Sequence, residues 1–127
     1  MNGLTPLLNV ADAAASIDFY THTLGFSVER QFELDGKVAW ARISNGATAL
    51  MLNQSPGRAR RGPREDATSY DDVVLYFDVD DAPKLHRQLS ERGLAPGPCE
   101  RQDYGVHEFT LRDPDGYELA FGSAIES

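Results

Sequence analysis

The chain has 127 residues, 41% hydrophobic and 25% charged, with 20 Asp and Glu against 12 Lys and Arg for a formal charge of −8. That balance describes a folded chain of one compact domain, or of two small modules sharing a core, and excludes a disordered one. The acidic excess argues against a nucleic-acid partner, whose phosphates demand a basic face, and no apolar run approaches the roughly 20 residues that a membrane helix needs.

Met1 to Val10 lacks the basic start and apolar stretch of a signal peptide, and Leu4 to Val10 reads instead as a first strand. A helix follows, with Asp12 as N-cap, Ile17, Tyr20 and Leu24 at core spacing, and Gly25 as its stop. Three strands come next, Ser27 to Leu34, Lys37 to Ile43 and Thr48 to Asn53, separated by the turn pairs Asp35-Gly36 and Asn45-Gly46. Residues 54–71 are rich in Pro, Gly and Arg, without apolar periodicity, and have the composition of a linker. Its arginines, Arg58, Arg60, Arg61 and Arg64, make a solvated connection, or an arm that gates a cleft or meets the acidic surface of a second subunit. The order then recurs: a strand over Asp72 to Val79, and a helix over Asp81 to Arg92 with Leu85 and Leu89 buried and Gly93 at its end. Strands over Ala95 to Gln102, Val106 to Arg112 and Tyr117 to Gly122 complete it.

The recurrence has a measurable offset. Val10-Ala11-Asp12-Ala13 matches Val79-Asp80-Asp81-Ala82 at 69 residues, Gly25 matches Gly93 at 68, and Gly46 matches Gly116 at 70. These agreeing shifts predict a duplicated βαβββ unit, with module one at 1–53 and module two at 72–127. The fold class is therefore α+β, two tandem modules in a cupped, mainly antiparallel sheet around a cleft. Alternation along the strands sorts the faces. Leu4, Pro6, Leu8 and Val10 oppose Thr5, Leu7 and Asn9, and Val73, Leu75, Phe77 and Val79 oppose Asp72, Val74, Tyr76 and Asp78. The apolar faces belong beneath the helices, and the mixed faces line the concavity where a small molecule fits.

Cys99 is the only cysteine, so no disulfide forms within the chain, and a reducing cytoplasm is its natural setting. Beside Glu100 its thiol pKa rises, which makes it a poor nucleophile.

Leu8-Asn9-Val10-Ala11-Asp12, Ser16-Ile17-Asp18-Phe19-Tyr20 and Leu24-Gly25-Phe26 resemble the opening of the glyoxalase/bleomycin-resistance/dioxygenase (vicinal oxygen chelate) superfamily. Gly105 to Tyr117, with Asp113-Pro114-Asp115-Gly116, resembles that family's closing hairpin. The resemblance implies paired βαβββ modules, commonly as a homodimer. It also implies that metal enzymes of the family draw His, Gln or Glu ligands from the first and last strand of each module. Matched strand to strand, those positions hold Thr5, Val74 and Ala120, and the 70-residue offset adds Leu50. Val, Leu and Ala offer no lone pair and Thr is a weak ligand, so no metal cofactor is expected. His22 and His86 fall on helices, where a solvated face is their default. His107 lies on a strand near the presumed cleft, and one histidine does not make a metal site.

The pattern is most similar to bleomycin-resistance-type members, which implies a metal-free protein that sequesters a drug without transforming it. Sequestration needs aromatic walls for a planar ligand and carboxylates for a cationic one. The candidate site residues are Trp40, Leu50, Tyr76, Tyr104, His107 and Glu118, and Glu108 either joins them or pairs with Arg112. The expected partner is thus a planar or cationic small molecule, with no nucleic acid and no membrane. The alternative is an enzyme of the same superfamily, a lyase, isomerase or dioxygenase type, using a cleft acid/base or an unrecognised metal site.

Overall fold

The computed structural model describes residues 1–57 and 72–125. The arginines expected in the linker lie outside the described residues. The chain divides into two compact units, Met1–Arg60 and Arg61–Ser127.

In the first unit β1 (Leu7–Val10) leads into α1 (Ala13–Leu24), followed by β2 (Ser27–Leu34), β3 (Lys37–Asn45) and β4 (Thr48–Gln54). The sheet order is β1-β4-β3-β2, with β1 parallel to β4 and the other pairs antiparallel. The second unit repeats this with β5 (Leu75–Asp78), α2 (Ala82–Glu91), β6 (Glu100–Arg101), β7 (Val106–Arg112) and β8 (Glu118–Ala124), in the order β5-β8-β7-β6. Each unit is thus a βαβββ module, and the architecture is α+β.

The same local chemistry builds both helices. The Asp12 carboxylate accepts from the Ala15 amide, and Asp81 accepts from Lys84, 69 residues on in both donor and acceptor. Behind each cap a second side chain takes the next orphan donor: the Ala13 amide donates to Gln54 Oε1, and Ala82 to Ser123 Oγ at 2.8 Å, again 69 apart. Gly25 closes α1 in the left-handed region at φ 73°, which a side chain would resist. α1 packs on β3 and β4, and α2 on β7 and β8. The first core gathers Leu8, Val10, Tyr20, Ala41, Ile43, Leu50 and Leu52, and the second Leu89, Leu111 and Leu119 around a ladder of stacked rings, Phe77, Phe121 and Phe109.

Several expectations are corrected. α1 buries Ala13, Ser16 and Tyr20, leaving Ile17 and Leu24 half-buried, because the small side chains let the helix approach its sheet. Leu85 is likewise half-buried, with Ala82 and Leu89 as the buried positions of α2. β1 begins at Leu7, not Leu4, which is 87% exposed; Pro6 has no amide to donate, although its carbonyl accepts from Met51. β5 begins at Leu75, since its partner β8 ends at Glu118 and the preceding residues are committed to a turn. There the Asp113 carboxylate accepts from the amides of Asp115 and Tyr117, and Gly116 closes the turn at φ 86°. The strand expected over Ala95 to Gln102 contracts to Glu100–Arg101. Pro96 and Pro98 cannot donate, and between them Gly97 alone reaches the Thr110 carbonyl, at 2.9 Å.

Candidate functional site

Each sheet has one face under its helix and one face without a helix, and register assigns every strand residue to one of them. Gln54 and Ser123 reach helix N-termini, so residues sharing their parity, Leu50 and Leu52 in β4 and Leu119 and Phe121 in β8, lie under the helices. Leu50 is accordingly a core residue, 2% exposed, and does not line a concavity. The error came from the 70-residue offset. Leu7 pairs with Met51 and Tyr76 with Ala120, so the strands repeat at 69 residues. The β7–β8 turn is one residue longer than the β3–β4 turn, which gives Gly46 and Gly116 a different spacing. The counterpart of Ala120 is therefore Met51.

His107 is corrected in the same way. It stands opposite Ser123 and shares parity with Phe109, which meets the His86 ring edge-on at 5.2 Å. His107 thus belongs to the helix side. His86, expected on a solvated face, is half-buried, with Nε2 2.9 Å from the Gly97 carbonyl. His22 is exposed, as expected. Burial, then the Asp81 carboxylate, pushes the Cys99 thiol up, which keeps it protonated and inert.

The helix-free face of the second unit brings together Tyr76, Tyr104 and Glu108. Glu108 is 3% exposed, yet its Oε2 accepts from the Tyr104 hydroxyl at 2.8 Å, and its carboxylate also accepts from Tyr76. Tyr76 and Tyr104 themselves stay 47% and 66% exposed. The Tyr76 phenol is pushed far up, by burial first and then by its bond to Glu108; the Tyr104 phenol is raised chiefly by that same carboxylate. Both therefore remain neutral donors across the physiological range.

Gly122 makes this meeting possible. It sits between Asp78 and Glu108 in the register, and a Cβ on it would overlap the Tyr76 hydroxyl and ring. The Tyr76 ring lies across that gap to reach Glu108. Glu118 shares this face, buried opposite Arg112, whose Nη1 donates to the Gly116 carbonyl at 2.7 Å.

In the first unit the helix-free face carries Trp40, half-buried, with the Arg30 guanidinium 5.9 Å from its ring centroid. Beside it Arg42 bonds Glu29 at 3.0 Å and reaches Thr5 Oγ1 at 3.4 Å, and Asn53 donates to Asn9 at 3.0 Å. Trp40 thus lies in a different unit from the Tyr76 cluster.

The four strand positions where a metal enzyme of this architecture takes its ligands hold Thr5, Met51, Val74 and Ala120. One weak hydroxyl, one thioether and two hydrocarbons do not fit a zinc, nickel, manganese or iron ion. Among the described residues, no three His, Cys, Asp or Glu come together as a metal site elsewhere.

Sequence reasoning selected Tyr76, Tyr104 and Glu118, and noted Glu108 without committing to it. It missed Met51 and Gly122, whose signal was the 69-residue register itself.

The family model for the glyoxalase/bleomycin resistance protein/dioxygenase superfamily matches residues 4–121. No curated protein matches. Among solved structures, the chain is similar to the bleomycin-binding protein of bleomycin-producing Streptomyces verticillus, complexed with copper(II)-bleomycin. The two are 24% identical over 99% of this chain and 98% of that one, with a TM-score of 0.67. It is similar to TnmS3, an antibiotic binding protein from Streptomyces sp. CB03234 (21% identity, 98% and 99% coverage, TM-score 0.68). It is also similar to a lactoylglutathione lyase from Agrobacterium tumefaciens (18%, 97% and 94%, 0.70). At these identities the likenesses establish the fold, which binding proteins and enzymes share.

Proposed function

The chain belongs to the glyoxalase/bleomycin resistance protein/dioxygenase superfamily, and within it we propose a metal-independent small-molecule binding protein, of the drug-sequestering, bleomycin-resistance type. The observation that carries this reading is the set Thr5, Met51, Val74 and Ala120 at the positions where a metal enzyme of this fold needs donors. What the helix-free faces offer instead is recognition: aromatic rings at Trp40, Tyr76 and Tyr104, with a buried carboxylate between the two tyrosines. Two neighbours of this fold bear names that say they bind antibiotics, which supports the reading by analogy. We place the protein in the cytoplasm as a homodimer, in keeping with its unpaired cysteine and the habit of the family. No described helix is long and apolar enough to cross a membrane.

A thermal-shift screen of small organic ligands, run with and without a chelator and followed by product analysis of each hit, tests the proposal. The expected result is stabilisation by hits that is insensitive to chelator and leaves each hit unchanged. Binding abolished by chelator, with one equivalent of metal retained on purification and lost in Thr5→Ala, overturns it. The second reading, metal-free acid/base catalysis, draws on the buried Glu108 carboxylate in hydrogen-bond contact with two phenols. It is established if a hit is consumed and Glu108→Gln stops the turnover.

A further inference from the structure

The geometry around Glu108 points to a recognition site for an organic cation with paired N–H donors, an amidinium or guanidinium on a planar group. The inference rests on the binding reading above and specifies its ligand class and residues. Three observations converge on it.

The first is the mismatch in exposure within one hydrogen-bonded group. Glu108 is 3% exposed, but the phenols that satisfy it, Tyr76 and Tyr104, are 47% and 66% exposed. A buried carboxylate needs compensating donors. Donors from the core would hold it permanently, whereas donors on rings this exposed can leave it without opening the core.

The second is the chemistry of the exchange. The carboxylate's present donors are neutral, since both phenol pKa values are shifted upward. A hydrogen bond from a cation to a carboxylate is roughly twice as strong as one from a neutral donor. A two-pronged amidinium meets both carboxylate oxygens at once, and a displaced tyrosine ring can then lie against its charge. Ligand exchange at this carboxylate therefore runs from neutral donors to charged ones.

The third is the Gly122 gap. It keeps the sheet surface beside Glu108 bare of side chain, with Tyr76 alone lying across it. The Ala120 methyl is the next side chain along that face of β8. When Tyr76 swings aside, a flat group finds backbone and a methyl there rather than a crowded surface. The first unit has no equivalent: residue 40 there is Trp, and the gap position is filled by Asn53, bonded to Asn9.

The test uses benzamidine, cationic at neutral pH, and benzamide, its neutral isostere, titrated into the full-length protein. Tyrosine fluorescence and the NMR shifts of the two tyrosine rings are followed. Benzamidine is expected to move both tyrosine signals and to bind at least about tenfold tighter than benzamide. Glu108→Gln is expected to weaken benzamidine about tenfold while leaving benzamide unchanged. Tyr104→Phe, at an exposed ring that folding does not need, removes one neutral donor from the carboxylate and is expected to tighten benzamidine. Equal affinity for both probes, or benzamidine binding that is unchanged in folded Glu108→Gln, overturns the inference. So does weaker binding in Tyr104→Phe, which also decides the matter if Glu108→Gln fails to fold. The two readings fail separately. Hits from the organic screen that ignore Glu108 refute this site and leave the binding function standing. Turnover of a hit refutes the binding function, while the benzamidine contrast still decides the site.

Discussion

Gly122→Ala should destabilise the protein only because Tyr76 is there. The residue has no left-handed backbone to protect, so alanine in a strand would ordinarily gain about 0.5–1 kcal/mol over glycine. Its new Cβ would overlap the Tyr76 hydroxyl and ring, and the three nearest atoms all belong to that side chain. Tyr76 must then leave Glu108, and a hydrogen bond to a charged group contributes about 1.5–3 kcal/mol. The balance is a net loss of about 1–2 kcal/mol, or a fall of about 0.5–1 M in the urea midpoint. In a Tyr76→Ala background the obstruction is gone, and the same substitution should stabilise by up to about 1 kcal/mol. Urea unfolding of the four proteins of this cycle, followed by circular dichroism, measures both values. An equal effect of Gly122→Ala in the two backgrounds refutes the account of the gap.

Leu50→Ala should cost about 2–5 kcal/mol and Met51→Ala less than about 1, because only Leu50 lies in the core; thermal melts of the two variants test the face assignment directly. Asp12→Ala and Asp81→Ala should each cost about 1 kcal/mol in chemical unfolding, and by similar amounts, since the two caps are structural equivalents. The tyrosines predict an alkaline limit. A phenol whose pKa is higher in the folded protein stabilises it fully below the unfolded value of about 10, and the contribution is lost as pH rises through the folded value. Stability should therefore fall above about pH 10, and Tyr76→Phe should flatten that fall in a pH series of melting temperatures.

What could be read from the residues alone was whatever local punctuation determines. β2 and β7 have the expected bounds because Gly25, Asp35-Gly36, Gly105 and Asp113-Pro114 bracket them. The helix caps followed from Asp12, Asp81 and Gly25 for the same reason. The failures were of pairing. The expected strand through Pro96 and Pro98 took its period from alternation, whereas a ladder needs donors. Leu50 was placed by counting from a turn glycine, and a turn one residue longer reverses the face of everything beyond it. The Tyr76–Glu108 contact joins residues on β5 and β7 across β8, and depends on a glycine in the strand between them. No spacing within one strand carries that information.

The register also shows how one backbone unit came to present two chemistries. The 69-residue repeat of β1 and β4 aligns Leu7 with Tyr76, Asn9 with Asp78 and Asn53 with Gly122. Pairing across β3 and β7 aligns Trp40 with Glu108, at 68. The helix sides of the two units remain interchangeable in kind, Leu8 with Phe77, Leu52 with Phe121 and Gln54 with Ser123, since each must cover a helix and satisfy its N-terminus. Divergence is confined to the face that no helix constrains. There one unit sets an indole beside guanidinium groups, and the other sets a carboxylate beside phenols. A pair of modules kept only for stability has no physical reason to diverge on that face alone. A pair that holds a small molecule by unlike groups does, because a ligand with distinct ends is recognised by distinct surfaces.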